Sequence, residues 1–496
     1  MICVSIGRTR HKMMIREHRA LAEQGAELVE LRIDWLSQPP DLVRLLNDRP
    51  TPAVVTCRRK ADRGRWNRTE DQRQALLRAA MVANVEYVDL EDDIAESIPR
   101  YNGTQRIISH HDFDQTPDNL EEIYARLTRM DPDVIKIVTM ANSPSDCVRM
   151  LELVSGAQVP TIGFCMGELG LPSRVLCGKY GAPFTYASFS SEREMAPSQL
   201  SFAEMKDIYR YDDINAETQV YGVLGDPIAH SLSPLIHNAA FAKEGLNCVY
   251  LAFRVLKGSL NSALEDFDWL DVRGYSVTIP HKMAVLPKAD YRDGPVVDIG
   301  AANTLYRDSL GGWHAANSDY DAALASIRLG LQEGSPGDDN LQGKRVMILG
   351  AGGVARAIGL GVTRAGAALT ISNRTHDRAL ELAETLGCQQ VQWENRGTVY
   401  SDILINCTPV GMHPDVDASP FPMHWLRENM LVVDTIYNPE NTLLLKRARE
   451  RGCRVVSGVE MFVRQAAVQF ELFTARAAPM ETMRDVLRKG ISPLSG

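Results

Sequence analysis

Hydrophobic positions in the first two hundred residues gather into short runs separated by polar stretches. Strand-like runs fall at 2–6, 28–33, 53–57, 86–91, 105–109, 133–138, 159–165 and 183–187, each of strand length and enriched in Val, Ile and Leu. Between several of them the pattern changes to an amphipathic helical one, as over 69–84 and 118–130. Alternating strand and helix signals predict an α/β fold with a parallel sheet, and eight such units predict a TIM (β/α)8 barrel over residues 1–212.

One run breaks its own pattern. In PDVIKIVTM (132–140) a lysine, Lys136, stands inside an otherwise apolar, β-branched strand. Alternation puts Val134, Lys136 and Val138 on one face and Ile135 and Ile137 on the other, so one face must hold an ammonium group. In a TIM barrel chemistry sits at the C-terminal ends of the strands, and unusual polar residues collect there. Glu30 and Arg32 close the second strand, Arg58 follows the third, Glu91 ends the fourth and His111 follows the fifth. Arg174 lies beyond the seventh and Gln199 beyond the eighth. A desolvated lysine among other cations can attack a ketone to give a Schiff base, whose iminium acidifies the neighbouring carbon. His111 is then the candidate base, Glu91 its orienting partner, and the arginines suit a carboxylate. Read together, these residues predict loss of water from a β-hydroxy ketone that carries an acid group.

Polar residues over 207–219 end the barrel pattern, and a strand restarts in VYGVLGDPIAHSLSPLIHN (220–238). KRVMILGAGGVARAIG (344–359) is a strand running into glycines and then a helix. Gly350, Gly352 and Ala355 fit the dinucleotide fingerprint, which lays a pyrophosphate on a helix N-terminus. The next strand ends in Asn373, Arg374 and Thr375, with Arg378 following. A guanidinium where a carboxylate would bind ribose hydroxyls points to the 2′-phosphate of NADP. GYSVTIPHK (274–282) supplies Lys282 and AANSDY (315–320) supplies Asp319, a pair able to hold a hydroxyl or carbonyl and pass a proton during hydride transfer.

The 496 residues carry a formal net charge of -9, which argues against a nucleic-acid footprint. No apolar run is long enough to span a bilayer. Nine cysteines are scattered without zinc-ligand spacing, so a reducing cytoplasm is the expected setting and no metal is expected.

Two resemblances sharpen this reading. ELRID (30–34), TCRRKADRGRW (56–66), SHHDF (109–113), the lysine of VIKIV and GLPSR (170–174) resemble type I 3-dehydroquinate dehydratase over about residues 1–212. The resemblance implies that Lys136 forms the imine, His111 is the acid/base and Glu91 pairs with it. Glu30, Arg32, Arg58, Arg174 and Gln199 would bind substrate, Arg174 taking its carboxylate. Met195 and Ser198 depart from that family's pattern in the loop after the last strand, and His110 is expected to be an exposed loop residue.

From about residue 219 onward, GDPIAHSLSPLIHN, GYSVTIPHK, GAANT (300–304), NCTPVGM (406–412), DTIYNP (434–439) and GVEMFVRQAAVQFELFT (458–474) resemble shikimate dehydrogenase. That likeness makes Lys282 and Asp319 the catalytic pair. It has Ser231, Ser233, Thr278, Asn303 and Gln465 hold substrate. Its cofactor set is Gly350, Ala351, Gly352, Gly353, Asn373, Arg374, Thr375, Arg378, Thr408 and Gly458. Ser276 and Ser318 replace a frequent asparagine and a usual threonine. The expected division is a barrel over 1–212, a substrate domain over 219–330, a Rossmann NADP domain over 340–458, and helices over 459–496 that return to the substrate domain. The implied small-molecule partners are 3-dehydroquinate and 3-dehydroshikimate or shikimate, with no nucleic acid or membrane. An NAD-dependent quinate dehydrogenase and a ligand-sensing regulator are the alternative readings of the second half and of the whole chain.

Overall fold

Period-2 alternation explains how the first strands share one interior. The computed structural model describes residues 1–332 and 339–491. Its first eight strands are β1 Ile2–Ile6, β2 Leu28–Arg32, β3 Ala53–Thr56, β4 Tyr87–Glu91, β5 Gln105–His111, β6 Val134–Met140, β7 Thr161–Met166 and β8 Thr185–Ser188. They run in the ladder order β7-β6-β5-β4-β3-β2-β1-β8, and the parallel pairing of β8 with β1 makes a nearly closed barrel. β5 and β6 extend past the sequence-predicted limits, carrying His111 into the sheet opposite Val138. β7 starts later than predicted because Pro160 has no N–H to give to a ladder.

The barrel interior is layered. Cys3, Leu28, Val54, Ile107, Val134 and Ile162 form an apolar floor. Two residues further along, the same inward face carries Ser5, Glu30, Thr56, Ser109 and Lys136, with Asp89 two residues after Tyr87. All six are buried. Lys136 therefore sits in a polar layer laid directly on a hydrophobic one. Around the barrel, the helix Glu70–Val82 is fixed by a capping box between Thr69 and Gln72, which satisfies its first free amides.

By compactness the chain forms two units, Met1–Val220 with Asn247–Val272, and Tyr221–Leu246 with Arg273 onward. The next strands are β9 Gln219–Gly225, β10 Cys248–Arg254, β11 Val272–Val277, β12 Tyr291–Arg292, β13 Thr304–Arg307 and β14 Trp313–Ala316. In the second unit β11, β13, β14 and β12 are neighbours in that order, with antiparallel β11/β13 and β13/β14 pairs.

The remaining strands are β15 Arg345–Leu349, β16 Ala368–Ser372, β17 Gln389–Gln390, β18 Ile403–Asn406, β19 Leu431–Asp434 and β20 Arg454–Val456. They form a parallel sheet in the order β17-β16-β15-β18-β19-β20, the doubly wound arrangement of dinucleotide-binding folds. Alternation again builds two cores: Val346 and Ile348 pack on one face, Met347 and Leu349 on the other. The strand order reverses between β15 and β18, so the crevice for a ligand opens at the C-terminal end of β15. The last long helix, Gly458–Thr474, lies against the helix Ser318–Gln332. Its far end reaches β11, where Gln469 bonds Ser276.

Candidate active sites

In the polar layer of the barrel Lys136 donates to Asp89 through Nζ and Oδ2 at 3.0 Å, and its ammonium lies 3.9 Å from Glu30 Oε1. It also rests 3.9 Å from the centre of the Tyr186 ring, a cation–π position. Glu30 is steadied by Ser5 Oγ at 2.6 Å and Thr56 Oγ1 at 2.8 Å. Burial alone would raise the Glu30 pKa, but Lys136 and Arg32 outweigh it and hold the carboxyl below its ordinary range. Arg32 forks onto Asp34 with two bonds of 3.0 Å.

Arg58 joins several groups at once. Its Nη2 meets both oxygens of Asp89 at 3.1 and 3.0 Å, while its Nη1 lies 3.4 Å from Glu91 Oε1 and 3.3 Å from His111 Nδ1. The expected pairing of Glu91 with His111 thus takes an indirect form: the hydrogen bonds of Glu91 come from Arg58 and from Arg73, the latter at 2.7 Å. Burial raises the Glu91 pKa beyond what those two arginines take back. His111 is pushed well below its ordinary value by burial, then by Arg58 and Lys136, so it stands as a neutral imidazole able to accept a proton. His110 is half-buried and bonds Asp92 at 2.9 Å, which corrects the expectation of an exposed loop residue.

Arg174 is fully buried, with its guanidinium 4.3 Å from the Phe164 ring centre. Burial lowers its pKa to about 10. Its Nη2 has no hydrogen-bond partner among the described residues, and an unsatisfied buried donor is a place for an anionic group. Gln199 accepts from the Met195 backbone N–H at 2.9 Å, tying down the loop after β8. Ser198 in that loop holds a left-handed φ of 55°, a conformation glycine adopts at lower cost.

In the second unit the loop after β11 carries Lys282, whose Nζ meets Asp319 Oδ2 at 2.6 Å. Asp319 lies in the first turn of the helix Ser318–Gln332, where the helix dipole favours a carboxylate. Asn303 is buried and gives its whole amide to this corner. It accepts from the Ser318 N–H at 2.8 Å and donates to Ser318 Oγ at 2.9 Å. Ser276 Oγ donates to Gln469 Oε1 at 2.6 Å, and Gln469 Nε2 donates to Asn303 O and Thr304 Oγ1, both at 3.1 Å. Gln465 is half-buried one turn earlier on the same helix face. Ser231 Oγ accepts from the Ser233 N–H at 3.3 Å, a local turn bond. Thr278 is half-buried, its N–H bonded to Leu224 O at 2.9 Å.

The glycine turn after β15 suits a dinucleotide. Gly350 has φ +111°, and a side chain there would meet Cys407 O at 2.9 Å, so only glycine fits. Gly352 is the N-cap of the twelve-residue helix Gly353–Arg364 and faces open space. Its first amides, with Ala351 and Gly353 beside them, can receive phosphate oxygens. Lys282 Cδ lies 3.9 Å from the Cβ position of Gly353, which puts the Lys282–Asp319 pair beside the turn. Asn373 folds back onto Thr375 O at 2.8 Å, while Arg374, Thr375 and Arg378 are exposed. Thr408 Oγ1 donates to Asn406 Oδ1 at 2.7 Å. Asn406 in turn donates to the fully buried Asp434 at 3.0 Å, whose pKa burial raises to about 6. At Gly458 a side chain would collide with Ile436 O.

Sequence reasoning missed Asp89, Arg73, Ser109 and Gln469. Asp89 shares strand parity with Glu91, and Gln469 is four residues after Gln465. Both periodicities were available signals.

One chain thus carries two sites: a barrel with an inward lysine among paired charges, and a dinucleotide fold with a Lys–Asp pair at its glycine turn, the class of a two-activity enzyme. The sequence model described as type I 3-dehydroquinase matches residues 2–216, and that of the shikimate dehydrogenase substrate binding domain matches 223–305. The model described as NADP oxidoreductase, coenzyme F420-dependent, matches 345–437, and the shikimate 5′-dehydrogenase C-terminal domain matches 458–488. A bifunctional 3-dehydroquinate dehydratase/shikimate dehydrogenase of Arabidopsis thaliana, named as chloroplastic, is 37% identical across 99% of this chain and 84% of its own length. The shikimate dehydrogenase (NADP(+)) of Moorella thermoacetica is 41% identical over 57% of this chain and 97% of itself. A solved shikimate dehydrogenase in complex with NADP+ superposes with a TM-score of 0.51 at 34% identity, covering 56% of this chain and 98% of that one. The chain belongs to the bifunctional 3-dehydroquinate dehydratase/shikimate dehydrogenase family. Among the described residues no helix is long and apolar enough to cross a membrane, and no group of three or more ligating side chains could hold a metal.

Proposed function

We propose that the two sites act in sequence: the barrel dehydrates 3-dehydroquinate to 3-dehydroshikimate, and the second unit reduces 3-dehydroshikimate to shikimate with NADPH. The observation that carries this reading is the pairing of a lysine with a carboxylate in each half, Lys136 with Asp89 and Lys282 with Asp319. In the barrel, Lys136 Nζ attacks the ketone and His111 takes the proton from the adjacent carbon. Arg174, with its free buried donor, receives the substrate carboxylate, while Glu30, Arg32, Arg58 and Gln199 shape the remaining walls.

In the second unit the Lys282 ammonium holds the carbonyl oxygen and Asp319 returns a proton through it as the alcohol forms. Ser231, Ser233, Thr278, Asn303 and Gln465 surround the ring. NADPH, when bound, supplies the hydride. The glycine turn and Thr408 support its phosphates and ribose, and Arg374 and Arg378 are the residues we assign to a 2′-phosphate. The NADP(+) name of the Moorella relative supports this choice of cofactor. The sequence-predicted division into barrel, substrate domain, Rossmann domain and returning helices belongs to the same proposal, as does a cytoplasmic setting in keeping with nine free cysteines.

The test is direct. Incubation with 3-dehydroquinate alone should raise the enone absorbance, and adding NADPH should then consume both the enone and the cofactor. No enone signal, or equal use of NADH and NADPH, would end the reading in its present form.

A further inference from the structure

Asp89 stands outside the set of residues whose roles the sequence predicts, yet no carboxylate in the barrel is better supplied with donors. It is buried at the level of Lys136, 1% exposed, and takes four hydrogen bonds. Two come from Arg58 Nη2, one from Ser109 Oγ at 2.7 Å and one from Lys136 Nζ at 3.0 Å. Glu30, the other carboxylate beside the lysine, is 3.9 Å away and has its oxygens occupied by Ser5 and Thr56.

We propose that Asp89 is the permanent counter-ion of Lys136 in the dehydration, paired first with the ammonium and then with the iminium that replaces it, while Arg58 fixes its other edge. The inference rests on the imine-forming role given to Lys136 above.

The charge balance of the reaction explains why a permanent partner fits. An ammonium and a ketone give an iminium and one water: the Nζ–C bond forms, the carbonyl C–O bond breaks, and two of the three ammonium protons leave with the oxygen. Nitrogen carries one positive charge before and after. His111 then takes the proton from the adjacent carbon, leaving a neutral enamine. Return of the enamine electrons expels the hydroxyl, which leaves as water with that proton, and the charge reappears on nitrogen. A fixed carboxylate at 3.0 Å favours each charged state without having to move or change protonation. Arg58 and Lys136 together hold Asp89 ionised against its burial.

The other groups around the lysine are Cys3 of β1, Glu30 and Arg32 of β2, Arg58 after β3, Glu91 of β4, His111 of β5 and Tyr186 of β8. Losing the Asp89 charge from this set leaves an ammonium that gives up its proton more readily.

The experiment uses the full chain with 3-dehydroshikimate and borohydride, followed by mass mapping of Lys136, alongside the pH profile of dehydration. In Asp89→Asn the trapped fraction should fall at least tenfold, kcat should fall more than KM rises, and the acid limb of kcat/KM should move down by at least one pH unit. Asp89→Glu should restore part of both. Formate should restore part of the rate in Asp89→Ala, a readout that holds even if Asp89→Asn folds poorly. Normal trapping with an unmoved pH profile in Asp89→Asn, or loss of rate with neither a profile shift nor rescue, overturns the counter-ion role. Absence of label on Lys136 in the unmodified chain overturns the imine reading itself, and this inference with it.

Discussion

In the barrel the Lys136 side chain is 6% exposed and meets its carboxylate inside a wall of strands; in the second unit the Lys282 side chain is 19% exposed beside Asp319. Around Lys136 the charges Arg32, Arg58, Asp89 and Glu91 are already in ion pairs, whereas Arg374 and Arg378 project to solvent at the dinucleotide turn. The difference follows from who supplies the reactant. On the proposed reading the protein's own amine enters the covalent chemistry of the barrel, and the charges around it are set in advance by the fold. On the same reading hydride comes from a diffusible cofactor in the second unit, so part of the field arrives with that cofactor and the residues we assign to it wait in water.

That comparison can be broken most severely at the lysines. Lys136→Ala should reduce dehydration by a factor on the order of 10⁴ or more, since the covalent route is lost. Reduction of added 3-dehydroshikimate should stay near normal in the same sample. Lys282→Ala should do the converse, slowing reduction by about 10²–10⁴ as proton handling is lost while enone still accumulates from 3-dehydroquinate. If either change abolished both activities in a folded chain, the two sites would not be separate.

A middle-sized effect tests the waiting half of the contrast. Arg374→Ala removes a charge-assisted hydrogen bond worth about 1.5–3 kcal/mol, so the KM for NADPH should rise roughly tenfold or more. The KM for NADH should barely change, and a parallel rise in both would place Arg374 elsewhere.

The smallest expected effect concerns Asp434, a buried carboxylate of the dinucleotide fold whose hydrogen bonds come from neutral donors: Asn406, Ile436 N–H and Thr442. Its folded pKa is about 6, above the ordinary 3.8, so the folded state holds the proton more tightly than the unfolded one. Stability should therefore fall as pH rises from about 4 through 6. Asp434→Asn should gain on the order of 1 kcal/mol at pH 7, a gain that fades below pH 4. Denaturant midpoints at pH 4 and pH 7 would check it, and equal midpoint shifts at both would contradict it.

Much of this was legible in the sequence because the two halves announce themselves by period and turn chemistry. Strand runs and their outlying lysine predicted the barrel and its inward ammonium, and the glycines around Gly350 predicted the dinucleotide turn. What could not be read was partnership across strands. Asp89 and Lys136 are 47 residues apart in sequence, and they meet only because β5 pairs with both β4 and β6, which sets their inward faces two strands apart. Glu91 looked like the partner of His111 because both lie at strand ends, but Arg73, on a surrounding helix, claims one of its oxygens. Gln469 was passed over for Gln465 because helical spacing puts both on one face and only packing distinguishes their depth.

The pairing of β1 with β8 has a consequence for how the chain is made. Ile2 aligns with Thr185, so once β1 has been synthesised it waits for about 180 further residues before its second neighbour exists. At roughly 5–20 residues per second on the ribosome, that is on the order of 10–40 seconds during which one edge of β1 lacks its final partner. An open edge of that composition is a template for wrong pairings. Slow closure of this single ladder is therefore where a growing chain is most exposed to aggregation, and where a folding assistant would have the most to protect.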